Sequence, residues 1–143
     1  MVVLGSLVFL YFSCKEIPTL PNQSPISFSS QYSKCLSQGL PKISVLDSIF
    51  TYSFSDNLIT DFSVIANCCP GSNRFSVSSL GGTDTLVVAV ADTAQGLCDC
   101  VCLYMVHAEF NNLPNDHYVV RCTYGNLTGY HETIHLVRVN RGT

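Results

Sequence analysis

The sequence predicts an all-β fold: an antiparallel, immunoglobulin-like β-sandwich of about seven strands. Two observations carry this expectation. Short runs rich in β-branched and aromatic residues are separated by turn-forming residues at sandwich spacing. No stretch shows the 3.6-residue apolar period of an amphipathic helix. The likeness to immunoglobulins is one of architecture, because the 143-residue chain has no tryptophan to pack against an inter-sheet disulfide.

The chain opens on Met1–Ser13 (MVVLGSLVFLYFS), an uncharged apolar run. It is shorter than the roughly 20 residues of a spanning helix and suits the core of a signal peptide. A basic leader segment is missing, which points to a start upstream of Met1. The run stops at Ser13-Cys14-Lys15-Glu16. A small residue followed by cysteine resembles a bacterial lipoprotein signal, in which the cysteine is lipidated and becomes the mature N-terminus. Tyr11 and Phe12 are bulkier than usual for such a signal. Residues 1–14 are therefore read as a signal segment with Cys14 as the lipidation site.

Residues 15–34 follow as a tether. Lys15 to Ser33 carries three prolines and five serines. Proline fixes φ and serine competes for backbone hydrogen bonds, so no regular element is expected there. Residues 35–143 form the sandwich domain. Its strands are expected at Ile43–Phe54 and Ile59–Ala66, with Ser55-Asp56-Asn57 turning between them. Arg74–Ser79 follows the Pro70-Gly71-Ser72-Asn73 turn, and Gly81-Gly82 separates it from Thr85–Ala91. Cys98–Phe110 is a long strand pattern, ended by Asn111 to Asp116. His117–Tyr124 and Thr133–Val139 complete the set.

Composition narrows the function classes. Hydrophobic residues make up 47% of the chain and charged residues 12%, which excludes a solvated, disordered segment. The net charge of −3 and the scattered lysines and arginines exclude nucleic acid as a partner.

Eight cysteines are the strongest chemical signal. On a strand, Cys98, Cys100 and Cys102 would project from one face. Such neighbours lie about 6.5–7 Å apart with parallel side chains, so each needs a partner from elsewhere in the chain. The disulfide candidates are Cys35, Cys68, Cys69, Cys98, Cys100 and Cys102, with Cys68 or Cys69 expected to reach the Cys98–Cys102 stretch. The pairing itself stays open among fifteen connectivities. Cys122, in an apolar strand, is the candidate free thiol. The alternative is a metal site for Cu or Zn built from Cys68, Cys69, Cys98, Cys100 and Cys102. Zinc ligands usually sit two residues apart on a turn, and exported thiols tend to oxidise, so disulfides are favoured.

Asn67-Cys68-Cys69-Pro70-Gly71, the Cys98–Tyr104 motif, Leu113-Pro114 and Tyr118-Val119-Val120 together resemble a group of secreted proteins and lipoproteins of unassigned activity, found mainly in Bacteroidetes. The resemblance covers residues 67 to 120. Members often carry aspartate after the Leu-Tyr pair, where this chain has Met105. The resemblance implies an exported sandwich and no particular activity.

His131-Glu132-Thr133-Ile134-His135 matches the H-E-x-x-H zinc-protease signature. That chemistry needs a helix and a third ligand. The local pattern is β-like, which would place His131 and His135 on one face and Glu132 on the other, so a chance match is the better reading. A cysteine protease using His107 or His117 has nothing to place a base beside a thiol. No nucleophile elbow, P-loop or dinucleotide motif is present. Asn22-Gln23-Ser24 and Asn126-Leu127-Thr128 are N-glycosylation sequons, relevant only in a eukaryote. Asp47-Ser48-Ile49, Asp84-Thr85-Leu86 and Asp92-Thr93-Ala94 resemble a short O-glycosylation signal of exported Bacteroidetes proteins, a pattern that also suits strand ends.

The functional expectation is a lipid-anchored cell-envelope protein at the bacterial outer membrane, periplasm or cell surface. It would be a structural or interaction module without catalytic residues or cofactor. Its partners would be the membrane, through the N-terminal lipid, and an envelope or extracellular protein or glycan.

Overall fold

A computed structural model describes residues 25–36, 49–69, 74–94, 99–126 and 131–142. These residues are all-β, without helix. The strands are β1 (Ser27–Tyr32), β2 (Phe50–Phe54), β3 (Leu58–Asn67), β4 (Phe75–Gly81), β5 (Thr85–Asp92), β6 (Val101–Asn111), β7 (His117–Asn126) and β8 (His131–Asn140). They form two four-stranded sheets, ordered β1-β6-β3-β2 and β4-β5-β7-β8.

Alternation builds the core. Along β6, buried Cys102, Tyr104, Val106, Ala108 and Phe110 interleave with half-buried residues, as a strand with one inward face requires. β5 repeats the pattern with Leu86, Val88 and Val90, each fully buried. The inward faces meet through aromatic contacts: Phe75 against Tyr104 at 5.0 Å and Phe54 against Tyr118 at 6.1 Å between ring centroids.

Two expectations are corrected here. The sheets are not wholly antiparallel, because β5 and β7 pair in parallel, from Thr85↔Val119 to Asp92↔Asn126. The chain reaches β7 from β5 by crossing to the other sheet through β6, which returns it in the same direction. There are also eight strands rather than about seven, since β1 lies inside the stretch expected to be an irregular tether. Phe28 packs on Phe110 at 5.0 Å and Tyr32 on Phe75 at 5.1 Å, so two well-spaced aromatics outweigh the surrounding serines. Cys14 and the whole of residues 1–24 lie outside the described residues, as do Ile43 to Ser48 of the first expected strand.

The pairing gives the molecule two ends. Tyr32, Asn67, Val101 and Asp92 lie toward one, which holds the cysteines. Leu58, Asn111, His117 and Asn140 lie toward the other. The far end is closed by Arg141. Its guanidinium donates to the Leu113 carbonyl at 3.0 Å, the Asn115 carbonyl at 3.2 Å and the Ser55 carbonyl, and pairs with Asp116 at 2.8 Å. It also lies 4.5 Å from the centroid of the Phe54 ring. Gly142 follows with φ of 90°, a left-handed turn that lets its N–H donate to the Phe54 carbonyl at 2.7 Å.

Candidate functional site

The chemistry singled out by the sequence collects at the cysteine end. β3 and β6 run side by side up to Asn67↔Val101, so the residues just beyond them meet. Cys68 N–H donates to the Cys100 carbonyl at 3.3 Å, and the two side chains form a disulfide with Cα atoms 5.7 Å apart. Cys102, inside β6 and buried, is bonded to Cys35 just past β1, with Cα atoms 5.5 Å apart. Cys69 is also disulfide-bonded, to a partner outside the described residues; Cys98 lies outside them as well. Of the three cysteines expected on one strand face, Cys102 belongs to β6, Cys100 just precedes the strand opposite Cys68, and Cys98 lies outside the described residues.

The closed loops are long, with sequence separations of 67 and 32. Loop-closure entropy sets the stabilisation at about 4 kcal/mol for each bond taken alone. The two bonds act on the same strand, tying edge strand β1 and central strand β3 to β6.

A buried polar network stands beside them. Arg74 is 2% exposed, and its Nη2 pairs with Asp92 Oδ2 at 2.5 Å. Nη1 donates to the Cys69 carbonyl at 2.7 Å, so the guanidinium links the cysteine segment of one sheet to β5 of the other. Tyr124 Oη donates to the same Asp92 oxygen at 2.9 Å, and the Ala94 N–H donates to Asp92 Oδ1 at 3.0 Å. Burial, then the bond to Asp92, pushes the Tyr124 phenol up to about 12. Among the described residues the Arg74 Nε finds no acceptor, leaving one unsatisfied donor in an otherwise saturated network. The sequence does not mark these three residues as a network: Arg74 reads there as the first residue of a strand, Tyr124 as the last of another, and Asp92 as the head of a glycosylation-like tripeptide.

Two disulfides and a buried ion pair thus cross-link this end. Of the alternative metal set, Cys68, Cys69, Cys100 and Cys102 hold their sulfurs in disulfides in this structure, and Cys98 lies outside the described residues. Among the described residues no group of three or more His, Cys, Asp or Glu side chains is placed to hold a metal ion. Cys122 is the free cysteine of these residues, fully buried, and burial pushes its thiol up to about 12. It behaves as a small apolar side chain.

The H-E-x-x-H match lies on β8, and a bulge alters its expected geometry. Cys122 pairs with His135 and Thr123 with Thr133, leaving Ile134 as an extra residue. The slip turns His135 inward, where it packs on Phe50 at 5.2 Å and Phe62 at 5.9 Å, while His131 stays exposed. The two histidines therefore do not share a face, contrary to the simple alternation of a strand. Burial lowers the pKa of His135. His107 is held by Asp61, Nδ1 to Oδ1 at 2.8 Å, on the outer face of the first sheet with no cysteine beside it. His117 helps to line a depression of about 230 Å³ at the far end with Asp84, Val119, Arg138 and Asn140. Of the three glycosylation-like tripeptides, Asp92-Thr93-Ala94 is engaged internally, because Thr93 Oγ1 donates to the Arg74 carbonyl at 2.6 Å. Ser48 lies outside the described residues, and Thr85 opens β5 half-buried.

Fold and site together define a class: a two-sheet, all-β domain clamped at one end by disulfides and a buried ion pair. Beyond that class the comparisons add nothing, since no protein-family model, no curated protein and no solved structure matches the chain.

Proposed function

We propose that the chain is an exported protein, lipid-anchored through Cys14 in a bacterial cell envelope, that acts as a rigid structural or interaction module and not as an enzyme. The observation that carries this reading is the oxidised cysteine end, with Cys35–Cys102 and Cys68–Cys100 bridging three strands. Disulfides of this kind persist in oxidising compartments and are rare in the bacterial cytosol. The apolar run ending at Ser13-Cys14 supplies the route out and the anchor. Twelve residues, or thirteen Cα-to-Cα steps, separate Cys14 from Ser27 at the start of β1. At about 3.4 Å each they reach at most some 45 Å, enough to hold the domain clear of a lipid surface.

The module is immunoglobulin-like in its two-layer architecture, and the parallel β5–β7 pairing sets it apart from an all-antiparallel member of that class. Its kinship is with the Bacteroidetes secreted proteins that share the paired cysteine motifs. Its partner is an envelope or extracellular protein or glycan, met on a sheet face or loop.

Non-reducing peptide mapping, metal analysis and the mass of the mature N-terminus, all on protein isolated from its own host, test this reading. The expected result is an acylated Cys14, the bridges Cys35–Cys102 and Cys68–Cys100, and no stoichiometric metal. Reduced thiols carrying about one soft metal ion per chain, or an unprocessed Met1, would overturn it.

A further inference from the structure

The outer faces of the two sheets each carry exposed apolar side chains, and their central charged residues are of opposite sign. On the first sheet the outward pairs are Ile65↔Leu103, Ser63↔Met105, Asp61↔His107 and Ile59↔Glu109. On the second, one row runs Leu80, Val87, Arg121, Leu136 across all four strands, with Val119↔Arg138 beside it. Leu80 is 71% exposed, Leu136 66% and Ile65 50%. A solvated sheet face normally alternates to polar residues, so such positions call for a cover.

The charges say what the cover is. Among the described residues the side chains of Arg121 and Arg138 make no hydrogen bond or ion pair, and both are exposed. The opposite face offers Asp61 and Glu109, each with one neighbour, His107 and Asn57, and with lone pairs left over. Asp61, Glu109, Arg121 and Arg138 all lie in the half of their sheet away from the cysteines. Stacking one molecule on another in the same orientation therefore sets Asp61 and Glu109 over Arg121 and Arg138. The same stacking lays Ile65, Leu103 and Met105 over the small Ala89 and Ala91.

We infer that the partner of the arginine-bearing face is a second copy of this chain, presenting its Asp61/Glu109 face. The contact is heterologous, so it leaves a free face at each end and propagates as an open row. Strand spacing and rise give each face about 500–600 Å², or about 1,000–1,200 Å² buried in all, the lower limit for a specific interface. Association is accordingly weak in solution, and it strengthens where molecules are crowded on one surface.

The test is sedimentation velocity on the full chain in a mild detergent. Wild-type protein should associate as its concentration rises about a hundredfold, and less so as ionic strength goes from about 0.05 M to about 0.5 M. Arg121→Glu/Arg138→Glu should weaken association by at least about tenfold, with Arg121→Gln/Arg138→Gln as a milder variant should the first misfold. Asp61→Arg/Glu109→Arg should fail likewise, and mixing it with the first variant should restore alternating assemblies. A monomer at every concentration overturns the inference, as does association that ignores salt and charge reversal, or a mixture that stays apart. Association through the apolar N-terminus is of that insensitive kind, so the result stands apart from whether Cys14 is lipidated.

Discussion

Replacing Arg74 by methionine isolates the contribution of the buried ion pair. Methionine matches the length of the side chain and keeps contact with Phe75, whose ring centroid lies 5.6 Å from the guanidinium carbon. The change removes the bond to Asp92 and the bond to the Cys69 carbonyl, and it leaves a carboxylate that is 16% exposed. Breaking a buried pair from one side typically costs about 3–5 kcal/mol. Asp92 keeps its bonds from Tyr124 and Ala94 and retains a little solvent, so the lower part of that range applies, about 3 kcal/mol. For a chain of this size the loss corresponds to a fall in Tm of roughly 10 °C. Urea unfolding under non-reducing conditions measures it, with Asp92→Leu and the double variant closing the cycle. The double variant should be less destabilised than the two single costs combined, because it leaves no unpaired buried charge. A single cost under about 1 kcal/mol, or strict additivity, would refute the claim that the pair acts as a unit.

At the far end, Arg141→Ala removes four carbonyl and carboxylate contacts and the stacking on Phe54, and should cost about 2–3 kcal/mol in the same assay. Arg141→Lys should recover little of this, since an ammonium cannot reproduce the fork. Cys122 should resist thiol reagents at pH 8 in the native protein, its thiol standing at about 12. Peptide mapping should find it labelled only as the domain unfolds. His135 gives a pH dependence whose sign is fixed by burial. Burial lowers its folded pKa below that of an ordinary histidine, so the unfolded chain takes up a proton that the folded chain resists. The stability it contributes is fully present above the unfolded pKa and drains away as pH falls below it. Chemical denaturation at pH 7.5 and pH 5 should show a smaller pH effect in His135→Leu than in the native chain.

What the sequence revealed followed period and turn chemistry. Strands β3 to β8 were legible because each alternates and is bounded by glycine, proline, asparagine or aspartate, as between Gly81-Gly82 and Thr85. That Cys68 or Cys69 should reach the Cys98–Cys102 stretch follows from strand geometry, which forbids neighbours at i and i+2 from bonding each other. β1 was hidden by composition, since its two aromatics sit among four polar residues that are common in linkers. The parallel pairing was hidden because nothing local to β5 or β7 tells which strand will lie beside it. The bulge at Ile134 was hidden for a related reason: one extra residue breaks an alternation that the sequence alone presents as regular. Arg74 and Arg141 were invisible as anchors, because a guanidinium reads as surface until its acceptors, up to 86 residues away in the chain, are seen around it.

The way the chain distributes its few cations ties stability to recognition. There are seven lysines and arginines in all. Arg74 is spent inside the cysteine end and Arg141 inside the far end, each bound to several oxygens and neither free to meet a partner. The exposed arginines are then Arg121 and Arg138, two residues on one face with no acceptor of their own. In a charge-rich surface such a pair would be lost among neighbours of both signs. Here, with 12% charged residues, it dominates the middle of that sheet face, with Asp84 at its far edge. The same scarcity separates the two ends. The far end is held by charge and carbonyls, the other by the Arg74–Asp92 pair together with disulfides that a reductant can open. Reduction should therefore loosen β1 and the Cys68–Cys69 segment while the Arg141 contacts, and the arginine face beside them, keep their shape.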